Sequence, residues 1–256
     1  MYHDVINQGN PDESGFTGKG PANYKYSFEE FSNHLNFISK SLKSKPSIAS
    51  DLKNNTSKPY LITFDDVGLS AFTVIAPLLD SLGWKGHFFI STDFIDKPGF
   101  MKNEQIKELH QRGHIIGSHS CSHPKIFSKL STPEMNYEWS KSIDVLSGII
   151  NQSVELASVP GGFYSKKVGL SAAQNGIKIL FTSEPHQRYY YLLDCLIVGR
   201  YTMFVSKTAE FAGKIASGDL LTCFGEYAYW NIKKLAKNLA GEYYLKFRNF
   251  VIERRS

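Results

Sequence analysis

Two short motifs hold the residue types that could carry chemistry. In LITFDDVGLS, residues 61–70, an apolar run ends in two adjacent carboxylates, Asp65 and Asp66. Like charges repel and lose hydration when enclosed, so a cation, a proton or exposure to water must compensate them. In GSHSCSHP, residues 117–124, His119 and His123 are four residues apart, which places two imidazoles on one side of a turn or in a tight loop. Neutral imidazole is the commonest protein ligand for metals.

Together the motifs predict a three-ligand site for a divalent cation. Two imidazoles and one carboxylate leave room for water on the ion. Asp66, His119 and His123 are the expected ligands, and Asp65 remains available as a general base. Each motif alone is more often a solvated turn, a helix cap or a pair of surface histidines. Cys121, between the histidines, is an alternative soft ligand.

The elements that must position these residues alternate along the chain. Expected strands cover 2–6, 60–64, 87–90, 114–118, 155–159, 177–181, 195–199 and 201–205. Two expected helices begin at capping boxes, at Ser27 and at Ser131. Three more are expected over 72–82, 103–111 and 208–216, and a short one ends at Asn175. Residues 43–58 are expected to form a loop. Such alternation predicts a parallel sheet, with site residues where strands end at its carboxyl edge. Asp65, His119 and the Pro160–Gly162 turn each follow an expected strand.

Composition predicts a soluble globular chain with one domain, residues 1–256. Hydrophobic residues make up 42% and charged residues 21%, and no apolar run is long enough to cross a bilayer. The N-terminus has no signal-peptide pattern, which leaves the compartment open: cytoplasmic, or extracytoplasmic if a signal was removed. Lys and Arg exceed Asp and Glu by 29 to 24 without a basic stripe, which does not favour nucleic acid as a partner. Three dispersed cysteines exclude a disulfide framework.

At these motifs the sequence resembles the polysaccharide deacetylases of the NodB-homology type, carbohydrate esterase family 4. TFDDVG, residues 63–68, matches the family's Thr-Phe-Asp-Asp-Gly with one inserted residue. HSCSH, residues 119–123, matches His-Ser/Thr-x-x-His, and SVPGG, residues 158–162, matches Arg-x-Pro-x-Gly without its arginine. The resemblance covers about residues 60–182. It implies a distorted (β/α)7 barrel, a divalent metal that is usually zinc, and removal of N-acetyl groups from amino sugars.

Two departures from the family pattern predict substitutes elsewhere in the chain. The family's C-terminal histidine is absent from residues 219–230, but His3 lies in an apolar strand at the N-terminus. This arrangement resembles the circularly permuted exopolysaccharide deacetylases of the poly-N-acetylglucosamine type, with His3 as the general acid. Ser158 stands where the family has the arginine that orients the base, and Arg200 is a candidate replacement. Glu184, at another strand end, is a further candidate neighbour of the site.

The expected function is metal-dependent N-deacetylation of a poly- or oligosaccharide. The glycine-containing turn would let a substrate approach backbone N–H groups that stabilise the oxyanion. The turn residues are Pro160, Gly161, Gly162 and Phe163. The alternatives are a catalytically weak glycan-binding or assembly protein, and a metal-dependent amidohydrolase that acts on a non-sugar amide.

Overall fold

The chain folds around a seven-stranded sheet that curls into a half-barrel, with helices outside. The computed structural model describes residues 1–7, 9–53 and 59–235. The strands are β1 Asp4–Ile6, β2 Lys25–Ser27, β3 Thr63–Phe64, β4 His87–Ile90, β5 Ile115–Ser118, β6 Leu156–Ser158, β7 Ile179–Phe181, β8 Tyr189–Leu192 and β9 Cys195–Val198. The half-barrel contains β3 to β9 in the order β3-β4-β5-β6-β7-β9-β8, and β1 pairs with β2 separately. The predicted α/β class is confirmed.

The parallel pairing brings the ends of the strands to one edge, as the sequence predicts. Pairs from β3 to β7, and the pair β7–β9, are all parallel. Strand β8 is different, because it forms an antiparallel hairpin with β9 through a turn at residues 193–194. The expected alternation therefore ends after β7. Residues 201–205, expected to be a strand, are outside the regular elements, although Met203 and Val205 make backbone hydrogen bonds.

Within the described residues, seven α-helices between residues 19 and 217 cover the outside of the sheet or flank its edges. They are α1 Lys19–Ala22, α2 Phe28–Ser41, α3 Ala76–Ser81, α4 Asn103–Gln111, α5 Thr132–Ile150, α6 Lys166–Gln174 and α7 Ala209–Ser217. Residues 220–235 are also helical. Both predicted capping boxes are confirmed: Ser27 pairs with Glu30, and Ser131 pairs with Glu134. A π-helical turn, Ala71–Ile75, precedes α3 and connects it to the turn that follows β3.

The interior of the half-barrel is apolar and closely filled. Phe89 and Phe181 are fully buried there, and their rings are 5.3 Å apart. The segment expected to be a loop at 43–58 includes a 3-10 helix at Ala49–Lys53, in which Ala49 is buried against this cluster. The N–H of Ala49 donates to Nε2 of His87 at 2.9 Å. Residues 54–58 lie outside the described residues.

The N-terminal residues connect the two sides of the half-barrel. The N–H of Tyr2 donates to the carbonyl of Thr63 at 2.8 Å, and the N–H of Asp65 donates to the carbonyl of Tyr2 at 3.0 Å. On the other side, the N–H of Met203 donates to the carbonyl of Met1 at 2.9 Å. Residues 1–2 thus lie between β3 and the segment that follows β9. Circular permutation of the barrel stays a prediction.

No helix in the described part of the chain combines the length and the apolar character that a membrane span requires.

Candidate active site

The turn after β3 directs its two carboxylates to different partners. Asp65 continues from the strand, while Asp66 adopts a left-handed backbone conformation with φ of 54°. Val67, the residue inserted relative to the family motif, is buried in the core, and the turn then passes Gly68. A Cβ at Gly68 would collide with the backbone nitrogen of Gly15, so this close approach of two loops requires glycine.

The three predicted metal ligands meet at the end of the sheet. Oδ1 of Asp66 is 3.1 Å from Nε2 of His119 and 2.9 Å from Nε2 of His123. One ligand atom from each of the three residues lies within 4.8 Å of the other two. His123 also has a left-handed backbone, with φ of 53°. This strained backbone conformation directs the imidazole of His123 back toward Asp66.

The hydrogen bonds around the cluster fit a bound cation. Nδ1 of His119 is 3.0 Å from the carbonyl of Ser158, and because a carbonyl only accepts, this nitrogen carries the proton. In the neutral ring, Nε2 of His119 then presents a lone pair to Asp66. Oδ1 of Asp66 and Nε2 of His123 are buried and 2.9 Å apart, but neither atom makes a hydrogen bond of good geometry within the described structure. Lone pairs that converge in this way are compensated by a cation or by protons on the rings.

The charges of these groups reinforce one another. Burial opposes ionisation of Asp66, but its contacts with His119 and His123 hold the pKa of the carboxyl well below its usual range. Burial lowers the pKa of His123, yet the Asp66 carboxylate outweighs burial and raises it. The cluster therefore favours positive charge beside Asp66, whether that charge is a proton or a metal ion.

Glu138, which the sequence motifs did not predict as a site residue, holds the loop between the two histidines. Oε2 of Glu138, on α5, accepts hydrogen bonds from the N–H groups of Cys121 at 3.0 Å and Ser122 at 2.9 Å. A glutamate beside Trp139 on the apolar stripe of a helix was the available signal. The Cys121 thiol donates to Glu138 and is buried, so it does not join the ligand cluster.

The guanidinium that binds Asp65 belongs to Arg200, after β9. The family motif would place its arginine at the position of Ser158, at the end of β6. Arg200, just after β9, donates from its two terminal nitrogens to the two oxygens of Asp65, each at 2.7 Å. Ser158 Oγ donates to Asp65 at 2.7 Å and also contacts Arg200 at 2.6 Å. Burial opposes ionisation, but Arg200 outweighs it and lowers the pKa of Asp65 to about 2.

The imidazole of His3 lies at the side of the cluster. Nε2 of His3 is 3.9 Å from Oδ2 of Asp66, and its ring centroid is 4.3 Å from that of Tyr24. Burial lowers the pKa of His3 to about 4, although the Asp66 carboxylate opposes this shift. His3 is therefore neutral at pH 7 in this environment. The structure thus places the N-terminal histidine beside Asp66, and its role as the general acid stays a prediction.

The other predicted residues lie at neighbouring strand ends. Pro160–Gly162 forms a 3-10 turn after β6, with φ of 62° at Gly161 and 70° at Gly162. The N–H of Gly162 donates to the carbonyl of Val159 at 3.3 Å, within the turn. Glu184 ion-pairs with Lys234 at 3.1 Å, and its main-chain carbonyl accepts from the N–H of Arg200. Its carboxylate is thus directed to Lys234 rather than to the cluster.

These features define an α/β half-barrel protein with a candidate metal site at the carboxyl edge of its sheet. The family model described as "Polysaccharide deacetylase" matches residues 52–180, which include both aspartates, both histidines and the Pro160–Gly162 turn. The chain belongs to the polysaccharide deacetylase family. The resemblance seen in the sequence motifs is confirmed.

Individual relatives agree with this assignment. The chain is 28% identical over 133 residues to the "Putative polysaccharide deacetylase YxkH" of Bacillus subtilis. This match covers 52% of the present chain and 47% of YxkH. It is 33% identical over 100 residues to a chitin deacetylase of Arthroderma benhamiae, and this second match covers 35% of the present chain and 24% of that protein. The matched segment thus spans half or less of the curated relatives.

A solved structure shows the same fold over most of the chain. Streptococcus pyogenes deacetylase PplD, solved in complex with acetate, superposes with a TM-score of 0.66 at 20% identity. The match covers 82% of this chain and 93% of PplD. The half-barrel with its external helices is therefore the fold of NodB-type deacetylases.

Proposed function

We propose that this protein is a metal-dependent hydrolase that removes N-acetyl groups from the amino sugars of a poly- or oligosaccharide. One observation carries the proposal: a carboxylate–histidine–histidine cluster lies beside a second carboxylate that Arg200 holds ionised. The family assignment and the similarity to a chitin deacetylase support an acetamide of an amino sugar as the substrate.

Asp66, His119 and His123 would hold the cation. We propose Zn²⁺, because two imidazoles and one carboxylate are a donor set of catalytic zinc sites. When bound, the ion supplies Lewis acidity toward water and toward the acetamide carbonyl. The hydrogen bond from Nδ1 of His119 to Ser158 orients that ring for ligation.

Asp65 and His3 would handle the protons of the reaction. Asp65 accepts a proton from the attacking water, and Arg200 with Ser158 fixes its orientation. His3 donates a proton to the nitrogen as the amide C–N bond breaks, which yields acetate and a free amine. Because its pKa of about 4 leaves His3 neutral at pH 7, the proton that His3 delivers would be the one that Asp65 takes from the attacking water, so that Asp65 and His3 both end the cycle in their starting protonation states. The turn at residues 160–163 would position the acetyl group, and a backbone N–H near Gly162 or Phe163 would stabilise the oxyanion.

The competing function is glycan binding by a catalytically weak or inactive protein. The absence of the motif arginine at Ser158 would favour it. The structure provides a guanidinium at Asp65 from Arg200 instead, with two hydrogen bonds of 2.7 Å. A binding protein has no need for a carboxylate that is held ionised in this way. This geometry favours the enzyme.

Acetate release tests the proposal directly. Purified protein is incubated with N-acetylated glucosamine oligosaccharides, with and without a chelator, and free acetate is measured. We expect release that the chelator abolishes and Zn²⁺ restores. Absence of metal-dependent release from every glycan tested, in protein that binds the metal, would favour the binding function. Release from simple acetamides but not from sugars would favour a non-sugar amidohydrolase.

Variants separate the roles of the residues. Asp65→Asn should lose turnover and keep its metal content, whereas His119→Ala should lose both, as measured by acetate release and elemental analysis. His110→Ala, on α4 outside the cluster, is the matched histidine control and should change neither. His3→Ala should reduce kcat by about 10²-fold or more, the usual contribution of a general acid. Full activity in this variant would show that His3 is not the acid.

A further inference from the structure

One side of the helix at residues 220–235 is apolar and open to solvent. Six of its large side chains recur at three-, four- and seven-residue spacings, which places them on one face of the helix. Each of them is at least 45% exposed, and we call this face the exposed stripe. Its residues are Leu220, Leu221, Phe224, Tyr227, Ile232 and Leu235. Single exposed apolar side chains are ordinary, whereas a contiguous apolar patch above a few hundred Å² marks an interaction surface.

The opposite side of this helix is attached to the body of the protein. Cys223 is buried there, and Glu226 forms an ion pair with Lys207. Asp219 precedes the helix and accepts hydrogen bonds from the N–H of Thr222 at 2.9 Å and from its hydroxyl at 2.6 Å. Both carboxylates of this segment are thus bound, whereas the exposed stripe contains no acidic side chain.

Positive charge follows the exposed stripe along the sequence. Residues 233–256 contain seven lysines and arginines and only two glutamates, an excess of five positive charges. The whole chain has 29 basic and 24 acidic residues, so residues 1–232 have 22 of each and are balanced. The entire net positive charge of the chain therefore lies in the segment that begins at the end of the apolar face. A partner of this surface should be apolar and negatively charged at the same time.

We propose that the exposed stripe, with the basic residues that follow it in the sequence, docks the protein on an anionic lipid surface. An interfacial helix buries its apolar face at the boundary between lipid headgroups and acyl chains, and nearby lysines and arginines are attracted to anionic headgroups. A second copy of this chain fits less well, because a symmetric contact through the stripe would bring two positively charged segments together.

The helix also lies close to the candidate active site. Nζ of Lys234 is 3.1 Å from Oε1 of Glu184. The main-chain carbonyl of Glu184 accepts from the N–H of Arg200 at 3.0 Å, and Arg200 binds Asp65. Docking of the helix would therefore bring this edge of the sheet near the lipid surface. The docking itself goes beyond the proposed deacetylation and does not depend on it.

Co-sedimentation with lipid vesicles tests the docking. The whole chain is mixed with vesicles of phosphatidylglycerol and phosphatidylcholine in equal parts, and with vesicles of phosphatidylcholine alone. We expect binding to the anionic vesicles to be at least about tenfold stronger and to weaken as salt is added, because salt screens the attraction. Leu221→Ser combined with Phe224→Ser should weaken it about tenfold or more. Tyr137→Ser combined with Val145→Ser is the matched control, because it removes exposed apolar side chains from α5, and it should leave binding unchanged.

A second pair of variants tests the contribution of charge. One basic residue near an anionic surface contributes about a fivefold gain in affinity, so Arg254→Gln combined with Arg255→Gln should weaken binding about tenfold to thirtyfold. The loss should disappear on vesicles of phosphatidylcholine alone. Lys40→Gln combined with Lys107→Gln removes exposed charges from α2 and α4 and should leave binding unchanged.

The outcomes decide the docking independently of catalysis. No binding of the wild type to anionic vesicles refutes it, and so does equal binding by a folded Leu221→Ser, Phe224→Ser variant. If that variant does not fold, as thermal unfolding would show, the arginine variant decides in its place. A wild type that binds no vesicles but forms a dimer, which the stripe variant does not form, would assign the stripe to contact between copies and refute the docking. Acetate release is measured without vesicles, so the proposed deacetylation fails or stands separately.

Discussion

Replacing Arg200 by methionine tests the central ion pair of the site. The change keeps a long side chain but removes the charge and the donors that meet both oxygens of Asp65. Asp65 is 3% exposed and Arg200 is 6% exposed, so the ion pair is shielded from bulk water. The variant leaves a buried carboxylate with the Ser158 hydroxyl as its remaining side-chain donor.

The cost follows from the geometry of the pair. Removing one partner of a buried ion pair costs about 3–5 kcal/mol, because the other charge is left uncompensated. The fall in the pKa of Asp65 from 3.8 to about 2 is an independent guide. At 1.36 kcal/mol for each pKa unit, it corresponds to about 2.5 kcal/mol in favour of the ionised form. We therefore expect Arg200→Met to lower the free energy of unfolding by about 3 kcal/mol at pH 7.

The effect should depend on pH with a definite sign. In the wild type the pKa of Asp65 is lowered on folding, so its stabilising contribution is complete above 3.8 and is lost as the pH falls toward 2. Without Arg200, burial should raise the pKa of Asp65 instead. The penalty of Arg200→Met should thus be largest at pH 7 and shrink on acidification, when Asp65 gains a proton.

Urea unfolding, followed by circular dichroism with a chelator present, measures these differences. The double variant Asp65→Asn, Arg200→Met provides the thermodynamic cycle, and it should recover a large part of the loss because no charge is left buried. Arg200→Lys keeps the charge but cannot donate to both oxygens, so we expect an intermediate loss. A loss below about 1 kcal/mol for Arg200→Met, the level of an exposed ion pair, would refute the reasoning.

Three further predictions concern residues around the site. Burial raises the pKa of Asp4 from 3.8 to about 6, so stability should fall by about 3 kcal/mol as the pH rises through this range, and Asp4→Asn should abolish that fall in urea titrations at pH 4 to 7. Gly68→Ala should destabilise the protein by about 3 kcal/mol, since its Cβ meets the backbone of Gly15; an unchanged thermal midpoint would contradict this. Burial and Glu138 raise the pKa of the Cys121 thiol to about 12, so iodoacetamide should label it only after unfolding, as mass spectrometry can check.

Much of the fold was readable from local sequence because the signals are local. Ser131, followed three residues later by Glu134, specifies a helix start through hydrogen bonds within one turn. Glycines at helix ends mark left-handed turns, as at Gly83 and Gly113. The β8–β9 hairpin was missed, because its pairing depends on which strand the segment meets and not on its own periodicity.

The sequence by itself determined which side chains could bind a cation and which strand ends would carry them. Asp66, His119 and His123 follow from residue type, spacing and the expected direction of parallel strands. Arg200 and His3 could be named as candidates from the sequence, but only the tertiary structure shows that Arg200 pairs with Asp65 and that His3 lies beside Asp66. Arg200 is 135 residues from Asp65, and His3 is 63 residues from Asp66. No local pattern records such a contact, because it arises only when the sheet curls and the N-terminal residues bridge its sides.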